Sequence, residues 1–263
     1  SQNLNKFNPD FFDYIIIDET HRAGASTYQK IINYFSPKFL LGMTASPERT
    51  DGFDIFKLFD HNIAYEIRLQ KAMEEELVVP FHYFGITDLN INGEIIDEKS
   101  DFNKLICDER VERILEISDK YGCDDNIIRG IVFCSRKDEA YQLANKFNLK
   151  GRKSITLTGS QSEDERENAI QQLESDNLEE KLEFIFAVDI FNEGIDIPRI
   201  NQIIMLRPTQ SNIIFIQQLG RGLRRFEKKE YLTVIDFIGN YQNNYLIPVA
   251  LFGDTSYNKD NFS

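Results

Sequence analysis

Apolar residues fall in short blocks along this chain, and their spacing changes from block to block. Tyr14, Ile15, Ile16 and Ile17 form a continuous run that ends in acids, the pattern of a strand buried on both faces of a parallel sheet, and Phe39 to Met43 repeats it. Between them Tyr28, Ile31, Ile32 and Phe35 recur at helical spacing until Pro37 stops the turn. From Ile63 to about Phe102 the pattern loosens into an amphipathic piece over 69–77, an extended piece over 78–86 and turn residues over 90–93. A second series then predicts helix 102–121, strand 130–133, helix 138–147, strand 154–157, helix 162–173 and strand 182–188. Strand 202–206, helix 211–219 and strand 232–235 complete it.

Strands alternating with helices predict an α/β architecture of doubly wound parallel sheets, in which ligands gather at the carboxyl ends of the strands. A length of 263 residues accommodates two such units. The expected division is a first unit over 1–64, a connector over 65–102, a second unit over 103–245 and a C-terminal extension over 246–263. Hydrophobic residues at 41% and charged residues at 28% describe an ordinary packed protein rather than a disordered or fibrous one. No apolar run approaches the roughly 20 residues of a membrane span, and the start is polar, so the expected location is the cytoplasm, without a membrane partner. Cys107, Cys123 and Cys134 lack the tight pairing of zinc ligands and read as unpaired thiols. A net charge of −13 argues against a simple basic nucleic-acid-binding domain, although Arg221, Arg224, Arg225, Lys228 and Lys229 cluster locally. The acidic runs at 74–76 and 163–167 read as solvated helix faces.

The candidate chemistry follows the predicted strands. Asp18 and Glu19, then Thr20 and His21, stand directly after the first strand, where one carboxylate can hold a magnesium ion through its water shell and the next can orient or deprotonate an attacking water. A solvated turn is the alternative. Thr44, Ala45 and Ser46 follow the second strand, placed to hydrogen-bond those carboxylates or simply to cap a helix. Asp189 to Pro198 follows a later strand and presents Gly194 and Asp196 in what is otherwise ordinary turn chemistry. Gln217 to Arg225 is the most specific stretch: Arg221 and Arg224, three apart, share one helix face and could stabilise charge on a transferring phosphoryl group. A basic helix end complementing the helix dipole is the alternative there.

In order, Asp18-Glu19-Thr20-His21, Thr44-Ala45-Ser46, Ile131 to Ser135, Thr158-Gly159, Asp189 to Pro198 and Gln217 to Arg224 resemble motifs II, III, IV, IVa, V and VI of the superfamily-two helicases. Gly42 to Arg49 and Asn192 to Pro198 are similar to the restriction-enzyme and excision-repair branches, which are typically motors on double-stranded DNA. The resemblance implies two RecA-like lobes, the first incomplete, with ATP between them and nucleic acid across both. It makes Asp18 the magnesium ligand and Glu19 the water activator, with His21 and Gln217 communicating across the cleft. Arg221 and Arg224 take the arginine-finger positions, Gly194 and Asp196 the nucleotide contact with Thr44 and Ser46 nearby, and Ser135, Arg136, Thr158 and Gly159 the phosphate-backbone contacts, which fix register without reading sequence.

Two departures matter. Val188 stands where many relatives carry a nucleic-acid-contacting threonine, and no stretch matches the phosphate-binding G-x-x-x-x-G-K-[ST]; Gly151-Arg152-Lys153-Ser154 lacks the upstream glycine and the preceding strand. The expectation is therefore a segment of a longer protein that binds ATP weakly or not at all by itself. Ser256 to Asp260 resembles a bacterial helicase group whose core is flanked by a phospholipase-D-type nuclease domain in the same chain. A non-catalytic nucleic-acid or protein-interaction module of helicase shape is the competing reading, and a metal nuclease built on Asp18 and Glu19 a third.

Overall fold

The computed structural model describes residues 4–44, 54–87, 90–91, 94–95, 101–188, 190, 197–206 and 218–238. The chain divides into two compact units, Ser1–Ile67 and Arg68–Ser263.

In the first unit, β1 (Tyr14–Ile17) and β2 (Phe39–Gly42) pair in parallel, with Ile17 opposite Gly42, and α1 (Ser26–Tyr34) connects them. A short 3-10 helix, Ile55–Phe59, follows. The apolar run in β1 predicts burial on both faces, yet Tyr14 is 72% and Ile16 62% exposed and only Ile17 is buried. The reason is geometric: a parallel strand is covered on both faces only when layers pack on each side, and among the described residues this sheet has two strands. Gly42 is required where it stands. A Cβ there would lie 2.3 Å from the Phe59 ring and 2.8 Å from the Thr20 hydroxyl.

The second unit opens with α2 (Leu69–Glu74) and is built on six parallel strands. In chain order these are β3 (Phe81–Thr87), β6 (Gly130–Phe133), β7 (Ser154–Leu157), β8 (Phe184–Ala187), β9 (Gln202–Met205) and β10 (Leu232–Ile238). A two-residue pair, β4 (Asn90–Ile91) and β5 (Glu94–Ile95), lies outside the sheet. The spatial order is β3-β10-β9-β6-β8-β7, so the chain winds from β6 out to β7 on one flank and later to β9 and β10 on the other. Residues 81–87, within the stretch expected as a connector, are hydrogen-bonded into this sheet as its edge strand, from Leu232 opposite Phe81 to Ile238 opposite Thr87.

Period-two alternation divides the strand side chains between two apolar layers. Ile131, Phe133, Ile185, Ala187, Ile203, Met205 and Val234 face one layer, closed by Ala169 and Leu173 of α6 (Glu163–Glu174) and by Leu219 and Leu223. Val132, Phe184, Phe186, Ile204, Ile235 and Phe237 face the other. That layer is closed by Val111, Ile114 and Ile117 of α4 (Asp108–Tyr121) and by Leu143 and Phe147 of α5 (Lys137–Leu149). Each of the larger side chains buried this way, Val, Leu, Ile, Phe or Met, contributes about 1.5–3 kcal/mol, which is why these strands carry continuous apolar runs. The helix expected over 102–121 is interrupted instead: α3 (Phe102–Leu105) ends, Cys107 is extended, and α4 restarts with Asp108 and Glu109 in its first turn, where acids suit the helix dipole. Arg110 Nη1 donates to the Leu105 carbonyl left open at the break, at 2.9 Å.

Candidate functional site

The carboxylates of the first unit sit where β1 runs out. Glu19 adopts the left-handed conformation, φ 50° and ψ 49°, which costs a residue with a side chain about 1–2 kcal/mol. Its N–H donates to Asp18 Oδ1 at 2.9 Å. Thr20 is buried, and its hydroxyl lies 2.8 Å from the Ile17 carbonyl and 3.0 Å from that of Met43, while its N–H donates to Met43 at 2.9 Å. The turn after β1 is thereby stitched to the end of β2. His21 Nδ1 lies 3.1 Å from Thr44 Oγ1 and 3.2 Å from Glu19 Oε2. That Glu19 oxygen is shielded from solvent, and the His21 ring nitrogen is the one group of the described residues paired with it. Asp18 is exposed. Among the described residues no group of three or more His, Cys, Asp or Glu stands together. The turn therefore offers a magnesium ion one or two carboxylates, the number this ion takes when waters and phosphate oxygens complete its shell. The strained backbone and the exposed Asp18 carboxylate fit that use.

In the second unit the candidate contacts lie at the carboxyl edge of the sheet. Ser135 and Arg136 follow β6, Thr158 and Gly159 follow β7. The Ser135 backbone N–H donates to the carboxyl of Glu139, and Glu139 in turn accepts from Arg110 Nη1 at 3.0 Å, both side chains being fully buried. Burial pushes the Glu139 carboxyl up and the guanidinium beside it pulls against that shift. Arg136 is exposed, its Nε and Nη2 engaged by the Asp138 carboxylate at 3.1 and 2.7 Å and its guanidinium 5.1 Å from the Phe102 ring centre. The hydrogen bond to Arg136 holds Asp138 below the usual carboxylate range. Thr158 is buried, with its hydroxyl 2.8 Å from Ser160 Oγ and 3.0 Å from Gln161 Oε1; Gly159 is the exposed member of the turn, with open space where a Cβ would stand. Gln161 Nε2 reaches Tyr141 of α5 at 3.0 Å and so ties this turn to the helix after β6.

Residues 218–222 are helical, with Arg221 half-buried and Arg224 exposed just beyond. The two glycines flanking Arg221 differ. A Cβ on Gly222 would lie 2.6 Å from Leu232 and 3.1 Å from Ile203, whereas Gly220 has nothing within 4 Å. Close packing on the sheet thus requires Gly222 alone. The basic cluster read from the sequence also separates, because Arg225 Nη1 donates to the Glu76 carbonyl at 2.6 Å and Lys229 turns inward onto two carbonyls. Ser46, Gly194, Asp196 and Gln217 lie outside the described residues.

The sequence reading assigned no role to Thr20, Glu139, Gln161 or Lys229. Thr20 carried a signal in its place inside the acidic motif, and Lys229 only that of membership in the basic cluster. A cavity of about 490 Å³, lined by Asp119, Cys123, Arg152, Lys153 and Lys181 among others, opens at the opposite, amino-terminal edge of the sheet. Gly151 to Ser154 lies there, leading into β7 rather than following a strand, and Arg152 is held by Asp119 and by Glu183. That end of a strand is the wrong one for a phosphate loop. All three cysteines are free thiols, and Cys123 is pushed up to about 12 by burial and by Asp125 and Asp124. Among the described residues no helix is long and apolar enough to cross a membrane.

Residues 109–225 match the family described as helicase conserved C-terminal domain, and residues 1–49 match type III restriction enzyme, res subunit. The "Putative ATP-dependent helicase IRC3" of Saccharomyces cerevisiae is 26% identical over 90% of this chain and 36% of its own length. The type I restriction enzyme EcoAI endonuclease subunit of Escherichia coli is 26% identical over 87% of this chain and 32% of its own. Among solved structures, the fragment of "a putative HsdR subunit of a type I restriction enzyme" from Vibrio vulnificus YJ016 has a TM-score of 0.68 at 22% identity, covering 90% of this chain and 45% of that one. The chain spans about a third of the length of either curated relative.

Proposed function

We propose, for a chain that belongs to the superfamily-two helicases and to their restriction-enzyme-like branch, that it provides the hydrolytic acids and the arginines of an ATP-driven motor moving on double-stranded DNA. The fold is that of two RecA-like lobes, a six-stranded parallel sheet in the second unit and, among the described residues, an incomplete two-stranded one in the first. The observation that carries the proposal is the turn after β1, where Glu19 is held left-handed with a solvent-shielded Oε2 set 3.2 Å from the His21 ring. Strain kept at one carboxylate, on a turn bonded to the end of the next strand, suits a group that must take a proton from water.

Asp18 would hold magnesium through its water shell, and magnesium supplies the charge neutralisation that phosphoryl transfer needs. Glu19 orients and deprotonates the attacking water. His21 relays the state of that carboxylate to Thr44, because one ring nitrogen is shared between them. Arg221 and Arg224 stabilise charge on the transferring group, and Gln217, Gly194, Asp196 and Ser46 complete the nucleotide contacts by the family resemblance. Ser135, Arg136 and the Thr158-Gly159 turn meet the phosphate backbone. For Arg136 this means exchanging the Asp138 carboxylate for a phosphate, a small cost because the pair is exposed.

The test is ATPase activity of the full natural polypeptide with and without duplex DNA. Glu19→Gln and Arg221→Ala are each expected to lower stimulated turnover at least about 10²-fold. Full stimulated activity in both variants refutes the motor reading, and stimulation by RNA but not by duplex DNA refutes the substrate. No stretch of the 263 residues matches the phosphate-binding loop, so calorimetry on this chain alone is expected to show no tight binding of magnesium-ATP.

A further inference from the structure

Lys229 lies in the loop between helical residues 218–222 and β10. Its Nζ donates to the Gly222 carbonyl at 2.7 Å and to the Pro198 carbonyl at 2.8 Å. Gly222 directly follows Arg221 and precedes Arg224 by two residues. Pro198 ends the segment that begins at Asp189. One ammonium therefore joins the exit of one motif to the turn that carries the arginines of another.

The surroundings make this a fixed arrangement rather than a surface contact. The last carbonyls of a helix lack partners within it, and a cation placed there satisfies them while complementing the helix dipole. Neighbouring contacts hold the same loop: Arg199, next to Pro198, sits 5.3 Å from the Phe226 ring centre, and Lys229 N–H donates to the Phe226 carbonyl at 3.1 Å. Burial lowers the lysine to about 8, against Asp124 and Glu174, which raise it. A lysine serving only to attract phosphate would keep its hydration on the surface. This one directs two of its three ammonium donors to backbone oxygens of its own chain.

We propose that Lys229 is a positioning residue: it pins the exit of the 189–198 segment to the arginine-bearing turn and so holds Arg221 and Arg224 in register for phosphoryl transfer. Its effect on catalysis rests on the motor reading above; the pin itself does not. The two parts are tested separately.

Hydrogen exchange reads the pin without nucleotide. At neutral pH, Lys229→Met is expected to raise amide exchange in the peptide around 218–224 about tenfold or more, and Lys229→Gln, whose amide can reach one carbonyl, to fall between the two. Unchanged exchange in both folded variants overturns the proposal. Should the methionine variant not fold by thermal melting, the glutamine variant decides alone. In the full natural polypeptide, Lys229→Met is expected to lower kcat for stimulated ATP hydrolysis about tenfold with KM for ATP changed less than about twofold. The triple variant Arg221→Ala/Arg224→Ala/Lys229→Met should be no slower than Arg221→Ala/Arg224→Ala, because the lysine acts through the two arginines. A further loss in the triple variant overturns the positioning role. A parent enzyme with no ATPase refutes the motor reading and leaves the exchange result to decide the pin.

Discussion

Asp236, in the middle of β10, is 3% exposed, and the Tyr83 hydroxyl of β3 donates to its Oδ2 at 2.7 Å. Burial raises its carboxyl from 3.8 to about 6, with the tyrosine bond pulling it part of the way back. The same burial, with the carboxylate beside it, pushes the Tyr83 phenol well above its ordinary range. Between pH 3.8 and about 6 the folded chain keeps a proton on Asp236 that the unfolded chain has lost, so this group's contribution to stability is full below 3.8 and disappears as the pH rises through 6. The gap corresponds to about 3 kcal/mol, and no discount for solvent applies to a carboxylate this enclosed. Asp236→Asn keeps an acceptor for Tyr83 and removes the charge, at the cost of an amide nitrogen that needs its own partner. The variant is expected to match the parent near pH 4 and to exceed it by about 1–3 kcal/mol near pH 7.5. The chain contains no Trp, so urea unfolding is followed by far-ultraviolet circular dichroism at both pH values. A stability difference that does not change with pH, or one that turns against the variant as the pH rises, refutes this account of the pair.

Two further predictions concern packing near the candidate contacts. Gly222→Ala is expected to destabilise the second unit by about 1–3 kcal/mol, because its methyl meets the buried ends of Leu232 and Ile203; Gly220→Ala, in open space on the same helical turn, should be neutral or stabilising by up to about 1 kcal/mol. Equal effects of the two in a urea titration contradict the packing argument. Arg110→Met leaves Glu139 buried without its cation and is expected to cost about 3–5 kcal/mol, with Arg110→Met/Glu139→Gln recovering part of the loss; a single-variant cost below about 1 kcal/mol shows that the pair does not hold the loop at Ser135.

The local pattern of the chain determined a good deal. Strands 130–133 and 154–157 are where alternation and flanking turns place them, and the parallel sheet follows from runs apolar enough to be covered on both faces. The order of the acidic, hydroxyl and arginine motifs pointed to the family before any contact was known. Both signals are local in the chain, and periodicity registers such signals directly. What remained needed contacts between residues far apart. Tyr83 meets Asp236 across 153 positions, and this pairing brings a stretch expected as a connector into the sheet. Exposure of Tyr14 and Ile16 depends on which layers pack against β1, and an apolar run cannot state that. Gly220 and Gly222 look alike in the sequence and part only when the methyls of Leu232 are in place. Lys229 looks like one more cation in a basic cluster, because a side chain's direction is set by the carbonyls within its reach, and Pro198 is 31 residues away.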